Sequence, residues 1–335
     1  MQPIFLTPVK KQTIWGGHSL AQEYGFGVPG EPIAEAWAVS AHPAGDCTVC
    51  GGEWDGMTLS ALWKNHPELF ACPGERQFPL LVKFIDAEKD LSIQVHPDDA
   101  YAAAHESPVD GSPCRGKSEC WYILWAAPGA RLVLGHNAAT RQQAAEWVAA
   151  GEWKRLLRTV PVSAGQFYRI DPGTVHAIGG GIRLLEVQQS SDITYRMYDY
   201  DRLQNGRPRP LHLEQSLQVM TVPAAQISAP PQPEALPLVH GEGELTLLES
   251  CPYFQVRRLR LNGEARLPNA PTFQTVTVLE GEGTLNGVPV HRGQSLLAPH
   301  PQRTLHWQGE LTAILAQPVL SAAAAPEAGA PGQNV

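Results

Sequence analysis

The stretch LSIQVH, residues 91–96, alternates apolar and polar positions. Successive side chains of a strand point to opposite faces, so Leu91, Ile93 and Val95 share one face, and Ser92, Gln94 and His96 share the other. Other strand-like stretches are PLLVKFIDA just before it, ECWYILWA at 119–126 and RLVL at 131–134. Apolar or alternating runs of this length predict strands. Two stretches have helical spacing instead. TLSALWKNHPELF (58–70) predicts a short helix, and TRQQAAEWVAAGEWKRLL (140–157) predicts one long helix packing through Ala144, Trp147, Val148, Leu156 and Leu157.

Period two then returns, with Gly and Pro turns, through GQFYRIDPGTVHAIGGGIRLLEVQQSSDITYRMYDYD. Residues 223–237 carry five prolines and read as a linker or an irregular crossover. A second β-rich region follows at about 245–317. The last stretch, SAAAAPEAGAPGQNV, has nothing to offset the entropy of ordering it. Many short strands with Gly-rich turns predict a mainly β chain of two jelly-roll barrels, with a few helices attached to the first. The expected division is a first domain over 1–222, a Pro-rich connection over 223–244, a second barrel over 245–318 and a disordered tail over 319–335.

Bulk properties narrow the function. The chain has 335 residues and a formal net charge of −8. That charge argues against non-specific nucleic-acid binding, which needs a basic footprint, but leaves room for a local anion pocket. No apolar run is long enough for a membrane span. The start, MQPIFLTPVKKQTIW, does not read as a signal peptide. Six cysteines are too sparse for a disulfide framework, so a reducing cytoplasm is expected. Cys47 and Cys50 have a metal-pair spacing, but on a strand an offset of three puts them on opposite faces, so a structural role is expected. No oligomerisation stretch is evident, and a monomer is the default.

Gln94 and His96 on one strand face raise the question of a metal. GKSECWYIL adds Glu119, with Lys117 two residues before it, and IDPGTVHAIGGG adds His176. Two imidazoles and a carboxylate are sound ligands for a borderline metal such as zinc. Each residue also has an ordinary structural reading, and no local spacing links the three segments.

The motifs IWGG (14–17), AEAWAVSAHPAG (34–45), LVKFIDAEKDLSIQVHPDD (81–99), GKSECWYIL (116–124) and GTVHAIGGGIRLLEVQQSSDITYRMYDYD (173–201) follow one another in order. Through residues 1–220 the chain resembles the type I mannose-6-phosphate isomerases, and more narrowly their short bacterial branch. The resemblance implies a zinc-dependent cupin with one Zn²⁺ per chain, acting on a small sugar phosphate in the cytoplasm. It implies Gln94, His96, Glu119 and His176 as metal ligands, and Lys83, Lys117, Asp192 and Arg196 as active-site residues. Two positions depart from the pattern: Asp171, where Pro or Ala is expected, and Met197, where a smaller aliphatic is expected. The second barrel resembles a cupin less sharply. His291 and His300 lack partner spacing there, so it is expected to be metal-free and to buttress the first.

The implied reaction interconverts mannose 6-phosphate and fructose 6-phosphate through a cis-enediol or enediolate. Arg196 would place a fixed positive charge beside the enediolate or the phosphate; its structural alternative is an ion pair with Asp192 or Asp199. Lys117, near a metal and an arginine, is expected to have a lowered pKa and could serve as base or phosphate holder. Lys83 interrupts an apolar strand, where a phosphate is a reasonable partner; its alternative is pairing with Asp86 or Glu88. Three rivals remain. Two His and a carboxylate would also serve an iron oxygenase. A non-catalytic sugar-phosphate binding module is the second, and an isomerase of free mannose the third.

Overall fold

A computed structural model describes residues 2–108, 111–225, 233–238 and 240–320. Most of the expected tail, 321–335, and part of the Pro-rich connection, 226–232 and 239, lie outside the described residues.

Three large sheets make up the molecule. A six-stranded sheet runs in the order Phe167–Ile170, Glu119–Ala126, Ile182–Gln189, Leu80–Ala87, Glu35–Val39, Val9–Lys11. A five-stranded sheet runs Leu157–Pro161, Arg131–His136, His176–Ile178, Ile93–Val95, Tyr195–Tyr198. Together they form the first cupin barrel. The third sheet has nine strands and forms the second, its long strands Phe254–Pro268, Gln274–Leu285 and Thr304–Pro318 paired antiparallel. Chain order and sheet membership do not coincide. Ile4–Thr7 pairs with Ser295–Ala298, and Thr48–Cys50 pairs with Ile4–Thr7, so both N-terminal strands lie in the nine-stranded sheet.

The strands of the six-stranded sheet are apolar on both faces because both faces are covered. Leu80, Val82, Phe84, Cys120, Tyr122, Leu185 and Val187 share a cluster with Phe254, Val256 and Ile314 of the nine-stranded sheet and with Phe273 just before one of its strands. On the opposite face, Ile85, Trp121, Ile123 and Leu184 pack against Leu132, Leu134 and Ile178 of the five-stranded sheet. The outer face of the five-stranded sheet, with Ile93, Val95, Ala177, Tyr195 and Met197, is covered by helical residues Ala144, Val148 and Leu156. The second barrel is filled by Leu259, Leu261, Val276, Val278, Leu296, Trp307, Ala313 and Leu315.

The helix expected over 140–157 is two helices, Arg141–Ala149 and Trp153–Leu156. Gly151 has φ +68° between them, a left-handed conformation that ends a helix and that glycine adopts without strain. The first expected helix is Leu59–Asn65, capped by Thr58 and followed by a 3₁₀ turn, Pro67–Leu69. A helix at Asp99–His105, capped by the Asp98 side chain, was not expected. Cys47, in the break between the strands Gly45–Asp46 and Thr48–Cys50, is buried, and Cys50 is exposed. No helix among the described residues is long and apolar enough to cross a membrane.

Candidate active site

Strand alternation aims the site's side chains. Ile93 and Val95 face the helices, so Gln94 and His96 face the barrel interior. Gln94 sits opposite His176 on one neighbouring strand and Arg196 on the other. Across the cavity, Lys83 pairs in register with Glu186, and Glu119 opens the next strand. The polar groups collect at one end of the barrel; the apolar cluster fills the rest.

His96 and His176 are oriented by backbone. His96 Nδ1 lies 2.8 Å from the Ile193 carbonyl, and His176 Nδ1 lies 2.9 Å from the Thr174 carbonyl. A carbonyl only accepts, so each Nδ1 carries the proton and each Nε2 presents a lone pair. Burial pulls the His176 pKa down to about 4 and holds His96 well below the ordinary histidine value, with Lys117 adding to the effect on His96. Both rings are therefore neutral at pH 7. Their Nε2 atoms face Glu119, at 3.6 Å from Oε2 for His96 and 3.3 Å from Oε1 for His176.

Glu119 is fully buried, and neither of its oxygens receives a well-directed hydrogen bond. Its nearest cation is Lys117 Nζ, 2.9 Å from Oε2. Two lone-pair nitrogens and a carboxylate thus converge within 4.8 Å with too few donors among them. Such a donor-poor cluster fits a cation, and imidazole with carboxylate suits zinc. The Gln94 amide lies 3.2 Å from His176 Nε2 and could turn its oxygen to the same point.

Burial raises the Glu119 pKa, as does the neighbouring Glu186. Burial also works against the Glu186 carboxylate, but Lys117 and Lys83 outweigh it and hold that group low. For Lys117, burial favours the neutral amine, yet Glu119 and Glu186 outweigh it and push the pKa up. The expected lowering supposed a bound metal cation beside Lys117; without one, the two carboxylates set the direction. Lys83 lies 3.5 Å from Glu186 and 3.6 Å from Glu35, and over the Trp37 ring. Its partners are therefore not Asp86 or Glu88; Asp86 accepts from the Ser19 backbone instead.

Arg196 donates to the Ser92 hydroxyl and the Pro210 carbonyl. Among the described residues it makes no ion pair, because Asp199 is held by Arg202 and Arg209. Asp192 is exposed, on the loop before Arg196, and lines a cavity of about 1140 Å³ with Trp63 and Arg115. The two departures from the family pattern leave the His–Glu–His cluster alone. Asp171 pairs with Arg169, and Met197 is buried in the helix-covered cluster. Glu186 and Glu35 were missed from sequence. Glu186 carries the same signal as Lys83: a charge inside an apolar strand, IRLLEVQQ.

Residues 4–113 match the phosphomannose isomerase type I catalytic domain, and residues 243–318 match the mannose-6-phosphate isomerase cupin domain. A mannose-6-phosphate isomerase of Streptococcus mutans is 40% identical over 93% of this chain and 97% of its own length. The chain belongs to the type I phosphomannose isomerases. The mannose-6-phosphate isomerase ManA of Bacillus subtilis is 42% identical over 89% of this chain and 93% of its own. The crystal structure of a Bacillus subtilis mannose 6-phosphate isomerase superposes with a TM-score of 0.89 at 37% identity, covering 95% of this chain and all of that one. Type I phosphomannose isomerases are aldose–ketose isomerases, and the fold and the convergent His–Glu–His cluster of this chain agree with that membership.

Proposed function

We propose that the protein interconverts mannose 6-phosphate and fructose 6-phosphate through a cis-enediol(ate), with Zn²⁺ held by Gln94, His96, Glu119 and His176. The observation that carries this is the pair of neutral histidines, each fixed by a carbonyl so that both Nε2 lone pairs meet the Glu119 carboxylate. When bound, the metal supplies Lewis acidity, which stabilises the oxygens of the reacting carbon atoms.

The chain's own residues do the rest. Arg196, with no carboxylate partner among the described residues, offers its guanidinium to the anionic substrate, at the enediolate or the phosphate. Lys83 lies deeper, between Glu186 and Glu35, and acts on a phosphate only if the substrate reaches past those carboxylates. Lys117, 2.9 Å from Glu119 Oε2, stands beside the proposed metal point and donates to a substrate oxygen. The proton leaving C2 and returning at C1 needs a base, and the carboxylates of Asp192 and Glu186 are offered for that role. The apolar wall of Trp121, Ile123 and Leu184 limits water around the intermediate.

A coupled assay tests the proposal. Metal-stripped protein is given mannose 6-phosphate, with and without Zn²⁺, and fructose 6-phosphate is followed. Turnover that depends on metal is expected. Absence of turnover with every divalent metal tried sinks the isomerase reading, and oxygen uptake with iron would move it to an oxygenase.

A further inference from the structure

Among the described residues, the largely apolar interior of the second barrel contains one arginine. Arg257 lies on Phe254–Pro268 with the inward parity of Leu259 and Leu261, opposite Leu315. It is 9% exposed. Its Nη2 donates to the side-chain oxygens of Gln274 and, at 3.2 Å, Gln317. Both partners are neutral, and among the described residues no carboxylate makes an ion pair with it. The next arginine on the same strand shows the difference: Arg258 faces the other way and pairs with Glu244 at 2.9 Å.

A buried cation without a counter-charge is costly unless an anion joins it. The unmet atoms identify the missing partner. Arg257 Nε and Gln274 Nε2 are both buried and both lack a hydrogen bond. Gln274 turns its oxygen to Arg257, so its amide nitrogen is the atom left over. Both orphans are donors, so the absent group is an acceptor. From the cation, the two orphan donors and the absence of a carboxylate, we infer that this end of the second barrel binds a small oxyanion, phosphate or carboxylate, on Arg257 and Gln274. The inference does not rest on the proposed isomerase reaction, and the site is separate from the His–Glu–His cluster.

The test compares wild type with Gln274→Glu, which supplies the carboxylate from within the chain. Melting is followed at pH 7.5 and fixed ionic strength as chloride is replaced by inorganic phosphate, and separately by acetate. Wild type should gain saturably, on the order of 2 °C. Gln274→Glu should melt higher in chloride and lose that gain, while its isomerase kcat stays unchanged. Phosphate binding at Arg196 would raise both proteins alike and cancel in the difference. A response to phosphate but not to acetate would assign the site to phosphate, and the converse to carboxylates. Equal responses of wild type and Gln274→Glu, or no response of wild type to either anion, would overturn the inference. Arg257→Met should also lose the response; should it fail to fold, the Gln274→Glu comparison decides alone.

Discussion

The two barrels share an architecture and differ in what their strands point inward. In the first, alternation delivers Gln94, His96, Glu119, His176, Lys83 and Glu186 to one end of the interior. In the second, the same alternation delivers Leu259, Val276, Leu296, Ala313 and Leu315, with Arg257 and its partners Gln274 and Gln317 as polar exceptions. The barrel itself therefore does not carry the chemistry. What carries it is the choice of residue at inward positions, together with carbonyls such as those of Ile193 and Thr174 that fix the imidazoles.

The sharpest way to break this comparison is to make the first interior resemble the second. Glu119→Gln should empty the cluster of metal and lower kcat/KM by on the order of 10³; metal analysis with steady-state kinetics checks it, and intact zinc with intact turnover would disqualify the ligand set. Arg196→Ala should lower kcat by about 10²–10³. If only KM rises, Arg196 provides uniform binding and no selective help to the transition state.

The converse experiment disturbs the second barrel alone. Trp307 is fully buried there, and Trp307→Ala should destabilise the protein by about 3–5 kcal/mol. Turnover per folded molecule should not change, as denaturant melts read beside active-site titration would show. A fall in kcat with zinc retained would mean that the second barrel does more than support the first.

The smallest effect concerns the loop that frees Arg196. Burial works against the Asp199 carboxylate, but the Arg209 and Arg202 donors outweigh it and hold the pKa below the ordinary aspartate value. A depressed folded pKa contributes stability above the unfolded value of about 3.9, and that stability is lost as pH falls through the folded value. Asp199→Asn should therefore cost stability at pH 7 and cost less at pH 3. Equal losses at the two pH values, measured by denaturant midpoints, would show that the ion pairs are not the source.

Much of the first barrel was legible because its signals are local. The strand expected at 119–126 is Glu119–Ala126, and the inward parity of Gln94 and His96 follows from counting residues. The long helix was misread because Gly151 breaks it through a backbone conformation that an apolar periodicity does not register. The cluster itself lay beyond periodicity: His96, Glu119 and His176 come from three separate strands, and only the family resemblance joined them. Lys83's partners, Glu186 and Glu35, were hidden for the same reason, since pairing across strands follows from sheet order.

The six-stranded sheet is a party wall. One pleat of Leu80–Ala87 places Lys83 beside Glu186 on the side of the candidate site, and the adjacent pleat places Val82 and Phe84 against the second barrel. A chain cut before the Pro-rich stretch would keep every proposed catalytic residue and still be left with a naked apolar back to its own active-site wall. The strand Ile4–Thr7, stitched into the C-terminal sheet, would lose its partner in the same cut. For anyone seeking a smaller catalyst, removing the second barrel uncovers this shared apolar face, and shortening has to begin elsewhere.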